Sequence, residues 1–242
     1  MKSPNNQKKI EHPELGWVTY KKNVRSKRIT LRVKADASIV VTLPQRTPYQ
    51  AAEKVLLQNI NWVKEQLGKA QQLKQAKALS YDSTFQVGHK QLCIVPDPEV
   101  SAVTIRYGEE NIKLSIPSDW KLREAATQEA IQLGIIEALR REAKIYLPQR
   151  TRALAAAKGI EINTIRIKNI KTRWGSCSSK KNINLSLYLM VLPFHLIDYV
   201  IFHELAHIKH QNHSPAFWRH LEMLLPNASA LDQAMKEQQI PF

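Results

Sequence analysis

Only two of the 242 residues are cysteine, Cys93 and Cys177, and neither has a second cysteine near it in sequence. That excludes a disulfide framework and a cysteine-built metal knot, and it fits a reducing compartment. Long apolar runs are missing as well. No stretch approaches the roughly 18 uninterrupted apolar residues that a spanning helix needs, so no membrane association is expected. The first residues, Met1-Lys2-Ser3-Pro4-Asn5-Asn6, are polar and lead into no apolar run, so no signal peptide is expected and the protein reads as cytoplasmic. No internal repeat is visible.

Acidic residues are also in short supply, 21 against 36 Lys and Arg, for a net charge of +15. The imbalance is uneven: residues 1–34 hold ten Lys and Arg against two Glu. Such a balance favours an anionic substrate or nucleic acid as partner, although a basic face that only keeps the chain in solution leaves the same composition.

What remains is ordinary for a globular protein, with 43% apolar and 24% charged residues. The length suits one elaborated domain or two small ones. Residues 1–14 read as a loose polar arm. Ile29–Val33 and Ile39–Leu43 have strand character, joined by a turn at Ala35-Asp36-Ala37-Ser38. Thr47-Pro48-Tyr49-Gln50 offers a cap, a first-turn proline and a capping box. The helix it opens keeps apolar spacing to Leu67 and extends at most to Ala78. Its Gln/Lys/Ala-rich tail makes residues 68–80 a boundary, with a basic hairpin-and-helix region over 1–80 and a second region over 81–242. Short strands are expected over 81–117, then a long helix over 119–158 bent at Pro148. Ile162–Ile170 and Asn182–Leu187 alternate again, the latter after a turn at Ser178–Lys181.

Chemistry concentrates in Leu192–His213. Pro193 opens a helix that is apolar on nearly every face (Leu196, Ile197, Val200, Ile201, Leu205, Ala206), yet it carries His203-Glu204-Leu205-Ala206-His207. A carboxylate on a buried helix costs several kcal/mol unless an opposite charge compensates it, and a metal dication does so. Residues four apart share one helix face, so His203 and His207 can bind one ion. Glu204, beside the first ligand, is placed to take a proton from water. This is the zinc-hydrolase pattern His-Glu-x-x-His. A catalytic zinc takes three protein ligands and leaves one position open. His213 is favoured as the third, His210 and Glu222 being the alternatives. His210 stands where longer motifs of this kind carry a glycine, so either it or Asn212 is expected to take a left-handed turn. His12, His89, His195 and His220 are scattered and read as surface or capping residues. A second cluster, Lys171-Thr172-Arg173-Trp174-Gly175-Ser176-Cys177-Ser178, reads as a strand. There Gly175 permits close backbone approach, Trp174 forms a wall and Arg173 can clamp an anion. Cys177 reads as a small buried residue.

Thr172–Ser178, Asn182–Leu185, Ile197–Val200, His203–His207 and Asn212–Trp218, together with Arg25–Val33, resemble the YgjP-like metallopeptidase family, related to the SprT-type zincins. The resemblance implies an α+β fold with a zincin-like core, in which an antiparallel sheet lies against a buried metal-binding helix. To this the sequence adds an N-terminal β-hairpin and helix. The resemblance also implies a metal-dependent hydrolase with one zinc on His203, His207 and His213 and Glu204 as general base, while Arg173, Trp174 and Gly175 are expected from their own chemistry to lie near the substrate. Peptides and nucleoside triphosphates are both candidate substrates. A third reading is a nucleic-acid-associated protein with a structural zinc. A structural zinc site, however, usually closes with four ligands and is rich in cysteine.

Overall fold

The computed structural model describes residues 6–34, 36–76 and 78–240, the side chains of 73–76 excepted. Its described residues form two compact units, one ending at Ala78 and the other beginning at Leu79. The expected turn at Ala35–Ser38 and the expected helix end at Ala78 each touch a residue outside that description.

The first unit opens with β1 (Gln7–His12) and β2 (Gly16–Asn23), which pair antiparallel. The part of the polar arm that is described is therefore a strand. Its Gln-Lys-Lys-Ile-Glu-His sequence buries nothing fully, and backbone pairing to β2 makes the strand. β3 (Thr30–Val33) and β4 (Ile39–Pro44) form a hairpin whose turn places Ala37 at φ 63°. β4 also pairs parallel with β2, giving the order β1-β2-β4-β3. The expected hairpin is thus half of a four-stranded mixed sheet. Alternation decides its faces: Val18, Tyr20, Ile39, Val41 and Leu43 are buried, while their neighbours in sequence point the other way. Two helices cover the buried face, α1 (Tyr49–Gln58) and α2 (Ile60–Ala76), contributing Ala52, Leu56 and Val63 to one apolar cluster. The expected single helix breaks at Asn59. Pro48 occupies the cap position itself, and no side chain caps α1, so the expected capping box does not form.

The second unit repeats that sheet plan. β5 (Thr84–Val87), β6 (Lys90–Asp97), β7 (Thr104–Tyr107) and β8 (Asn111–Pro117) take the order β5-β6-β8-β7, again with a parallel central pair and antiparallel edges. The sequence shows no repeat, but the topology does. α3 (Ala125–Ala157) begins six residues later than expected and continues past Pro148 for 33 residues in all. Ile131, Ile135, Ala138 and Leu139 recur at helical spacing and meet Leu92, Ile94, Ile112 and Leu114 in one core. Gly134 lets the helix sit down on β8, since a Cβ there would meet Leu114 Cδ1 at 2.6 Å.

The remaining elements build the site. β9 (Ile165–Lys168), β10 (Gly175–Cys177) and β11 (Ile183–Ser186) form a sheet of order β10-β11-β9. β10 and β11 are a hairpin, with Lys181 at φ 57° in the turn, but β9 runs parallel to β11. The expected antiparallel sheet is therefore mixed, because β9 enters from α3 rather than by a hairpin. A short 3-10 helix (Leu187–Val191) leads to α4 (Phe194–Ala206), followed by α5 (Pro215–Leu224) and α6 (Ala228–Lys236). Arg150 of α3 grips Asp198 of α4 with two hydrogen bonds, Nε to Oδ1 at 2.8 Å and Nη2 to Oδ2 at 2.5 Å.

Candidate metal centre

α4 is the most deeply apolar helix of the second unit, and nine of its thirteen residues are buried. Its last turn carries His203, and His207 is the residue on which it ends. Beyond His207 the chain leaves by tight right-handed turns, with the backbone N–H groups of Lys209 and His210 both returning to Ala206 O. The expected left-handed residue is absent: neither His210 nor Asn212 has a positive φ. A glycine is not needed there because the helix unwinds without reversing hand. The turn brings His213 back over the helix just before α5.

The three imidazoles then converge. Their ligand nitrogens all lie within 4.8 Å of one another, and His203 Nε2 stands 2.9 Å from His213 Nε2. Nitrogens sharing one tetrahedral zinc at about 2.0–2.1 Å stand about 3.3 Å apart, so the cluster is of the right size. Phe217 of α5, fully buried, forms a common floor, with its ring centroid 5.0, 4.6 and 4.8 Å from those of His203, His207 and His213.

The ring protons are also arranged. The Tyr199 hydroxyl donates to Asp232 Oδ1 at 2.8 Å, leaving its oxygen to accept from His203 Nδ1 at 3.4 Å. His207 Nδ1 donates to the His210 carbonyl at 2.9 Å. In both rings the proton is therefore held at Nδ1, and the Nε2 lone pair is free to bind a metal. Burial, then the neighbouring His207 and His213, push the His203 pKa down to about 4, and burial lowers that of His207. Both are neutral at pH 7, as ligands must be. Burial opposes ionisation of Asp232, but hydrogen bonds from Lys236 and Tyr199 still hold it below the ordinary carboxylate range. Neither Tyr199 nor Asp232 belongs to the His-Glu-x-x-His motif or to the third-ligand candidates. Tyr199 lies one turn before His203 on the same helix, a spacing that could have suggested it, whereas Asp232 gives no local signal.

His210 and Glu222 do not join the cluster. The His210 ring packs against His220 at 5.4 Å, and its carbonyl serves His207. Glu222 Oε1 accepts from the Asn227 backbone at 2.7 Å. Among the other histidines, His89 stacks on Phe194 at 4.2 Å and His12 accepts from the Glu14 backbone N–H.

Glu204 is 5% exposed, and its Oε2 has no hydrogen-bond partner among the described residues. Burial pushes its pKa up to about 8, and Arg173 offsets this only partly. Gly175, the first residue of β10, lies directly on this carboxylate: a Cβ at Gly175 would stand 2.5 Å from Glu204 Oε1. The expected strand through Arg173 and Trp174 begins only at Gly175. The residues before it are held by other bonds, Ser186 N–H to Trp174 O at 2.8 Å and Ser186 Oγ to Ile170 O at 2.7 Å. Trp174 packs against the core as a half-buried wall. β10 is one of the two edge strands of its sheet. Burial pushes the Cys177 thiol up to about 11, with Glu204 adding to the shift.

The family described as YgjP-like, metallopeptidase domain, matches residues 27–238, most of the chain. The chain belongs to the YgjP-like metallopeptidase family. It is accordingly a metal-dependent hydrolase, and the β3–β4 hairpin and the histidine cluster both lie within the matched residues, whereas β1 and β2 precede them. No curated protein matches the chain. Among solved structures it is similar to the metallopeptidase zymogen abylysin of Pyrococcus abyssi, at 29% identity and a TM-score of 0.33, over 37% of this chain and 92% of that one. The corresponding values for the metallopeptidase zymogen jannalysin of Methanocaldococcus jannaschii are 24%, 0.32, 36% and 90%. Among the described residues, no helix of this YgjP-like protein is long and apolar enough to cross a membrane.

Proposed function

We propose that the chain is a zinc peptidase of zincin-like design, with His203, His207 and His213 as the ligands and Glu204 as the general base. The observation that carries this reading is the buried Glu204 carboxylate. It lies beside the first histidine, without a partner for Oε2, directly beneath the edge strand that begins at Gly175. Three neutral imidazoles leave a bound dication its full charge, and such an ion polarises a carbonyl and lowers the pKa of water to about 7. Glu204 supplies what the ion cannot: it accepts the proton of the attacking water and delivers it to the departing amine. β10, as an edge, offers backbone groups to an extended peptide, so the scissile bond can be laid along the strand above Glu204. Trp174 and Arg173 flank this path and contribute bulk and charge to the choice of side chain.

The nucleotide reading asks for several cations around the reacting phosphates. Arg173 acts on Glu204 electrostatically, whereas Arg25, Lys27, Arg28 and Arg32 belong to the first compact unit. The two readings separate in one assay of zinc-loaded protein on an unfolded polypeptide and on nucleoside triphosphates. Glu204→Gln should retain metal and fold but lose at least about 100-fold in polypeptide cleavage, because an amide cannot accept the proton. Pyrophosphate release that disappears in Glu204→Gln, with polypeptide intact, would replace the peptidase reading with the other.

A further inference from the structure

The outer face of the first unit's sheet is uncovered by any described helix and carries chemistry that the hydrolase site does not use. Strand register places its residues in rows. One row runs Lys9, Thr19, Val40, Arg32, and the next Gln7, Lys21, Thr42, Thr30. Trp17, opposite Glu11, stands one row further along β2. All of these lie on the side opposite Val18, Tyr20, Ile39 and Val41, because side chains alternate along each strand. Lys9, Lys21, Arg32 and Lys34 are exposed, and Lys21 and Arg32 make no ion pair among the described residues. Residues from all four strands line a shallow concavity here, Gln7, Thr19, Lys21, Thr30, Arg32 and Val40 among them. Arg25, Lys27 and Arg28, exposed in the loop from β2 to β3, extend the positive charge at the Lys21 end. Glu11 is the one carboxylate in these rows.

Trp17 makes the face more than a solvated basic patch. It is 54% exposed, although burying an indole is strongly favourable, and Lys9 Nζ stands over its ring at 5.1 Å. An open aromatic platform beside a track of cations is what recognition of single-stranded nucleic acid requires. Bases stack on the ring while phosphates follow the cations. A duplex cannot use the platform, because its bases already stack on one another, and an acidic polypeptide held by the cations has no need of it. The four-strand face is about 14 Å across at about 4.8 Å per strand, room for a few nucleotides. We infer that the outer face of the β1-β2-β4-β3 sheet binds single-stranded nucleic acid, with Trp17 stacking on a base and Lys9, Lys21, Arg32 and Lys34 contacting phosphates.

The test is fluorescence anisotropy of the full chain with a labelled 16-nucleotide single strand, as DNA and as RNA, against a duplex of the same length. Binding at 50 mM salt should favour the single strand. Four phosphate contacts should give log K against log salt a slope of about −3. Lys21→Glu with Arg32→Glu should weaken binding at least tenfold and flatten the slope. Trp17→Ala should weaken it at least about fivefold, with Trp17→Tyr restoring most of the loss. The matched control is Lys144→Glu with Arg152→Glu, two exposed cations on α3, which should leave affinity within twofold. Circular dichroism reports the fold of each variant. The inference is overturned by absence of binding at low salt, by an equal loss in the control pair, or by indifference to Trp17→Ala. Preference for the duplex, or displacement of the strand by polyglutamate at equal charge concentration, overturns it too; the latter would identify the face as one for acidic proteins.

Discussion

His203 owes its tautomer to two residues that the metal motif does not contain. Tyr199 sits one turn earlier on α4, and Asp232 lies 33 residues beyond it on α6. If their role is to hold the Nδ1 proton, removing either should loosen the ion without unfolding the site. Tyr199→Phe and Asp232→Asn are each expected to weaken zinc about 10–100-fold in competition with a chelator, the usual size of such effects. Affinity unchanged in both variants would show that the hydrogen bonds are incidental. Cys177 provides a pH test of the same neighbourhood. A raised acid pKa keeps the neutral form, so the thiolate grows tenfold per pH unit until about 11. In metal-free Cys93→Ser protein, alkylation of Cys177 at pH 8 should be roughly 100-fold slower than that of an ordinary thiol, and should still be rising at pH 10. A rate already level at pH 8 would contradict the buried, neutral thiol. That His203 and His207 converge could be read from the sequence, because residues four apart share one helix face. Asp232 could not be, since only the fold brings α6 to α4.

Among elements, β10 is the shortest strand and the one closest to the chemistry. Gly175 is required there by contact rather than by backbone twist, because the Glu204 carboxylate occupies the space of a side chain. Gly175→Ala must therefore displace either the strand or the carboxylate. A misplacement of about 1 Å can cost about 100-fold in rate, so polypeptide cleavage should fall by about 10–100-fold while zinc content is unchanged. Full activity in Gly175→Ala would mean that the edge strand is not where substrate is read. Asn111–Ile116 was legible through its alternation, which buries Ile112, Leu114 and Ile116, and Ile39–Leu43 through its compact β-branched run. β1 was not, since it is exposed along most of its length and is a strand only through its partner. The break at Asn59 and the empty cap of α1 were hidden for a related reason. Tertiary contacts, not local capping, hold Ala52 and Leu56 in place.

Over the whole molecule, two compact units share one sheet plan with no visible sequence repeat, because topology constrains which faces are apolar and not which apolar residues fill them. The parallel pairs β2–β4, β6–β8 and β9–β11 were equally illegible, since strand order lies in long-range register. The α+β class and the apolar helix bearing the histidines were legible; the mixed character of the sheets was not. The proposed chemistry depends on one ion held by three imidazoles of the second unit. Elemental analysis of purified full-length protein, set beside a His203→Ala, His207→Ala variant of verified fold, tests that claim most directly. About one zinc per chain in the wild type and none in the variant is the predicted result; equal metal content in the two would contradict it.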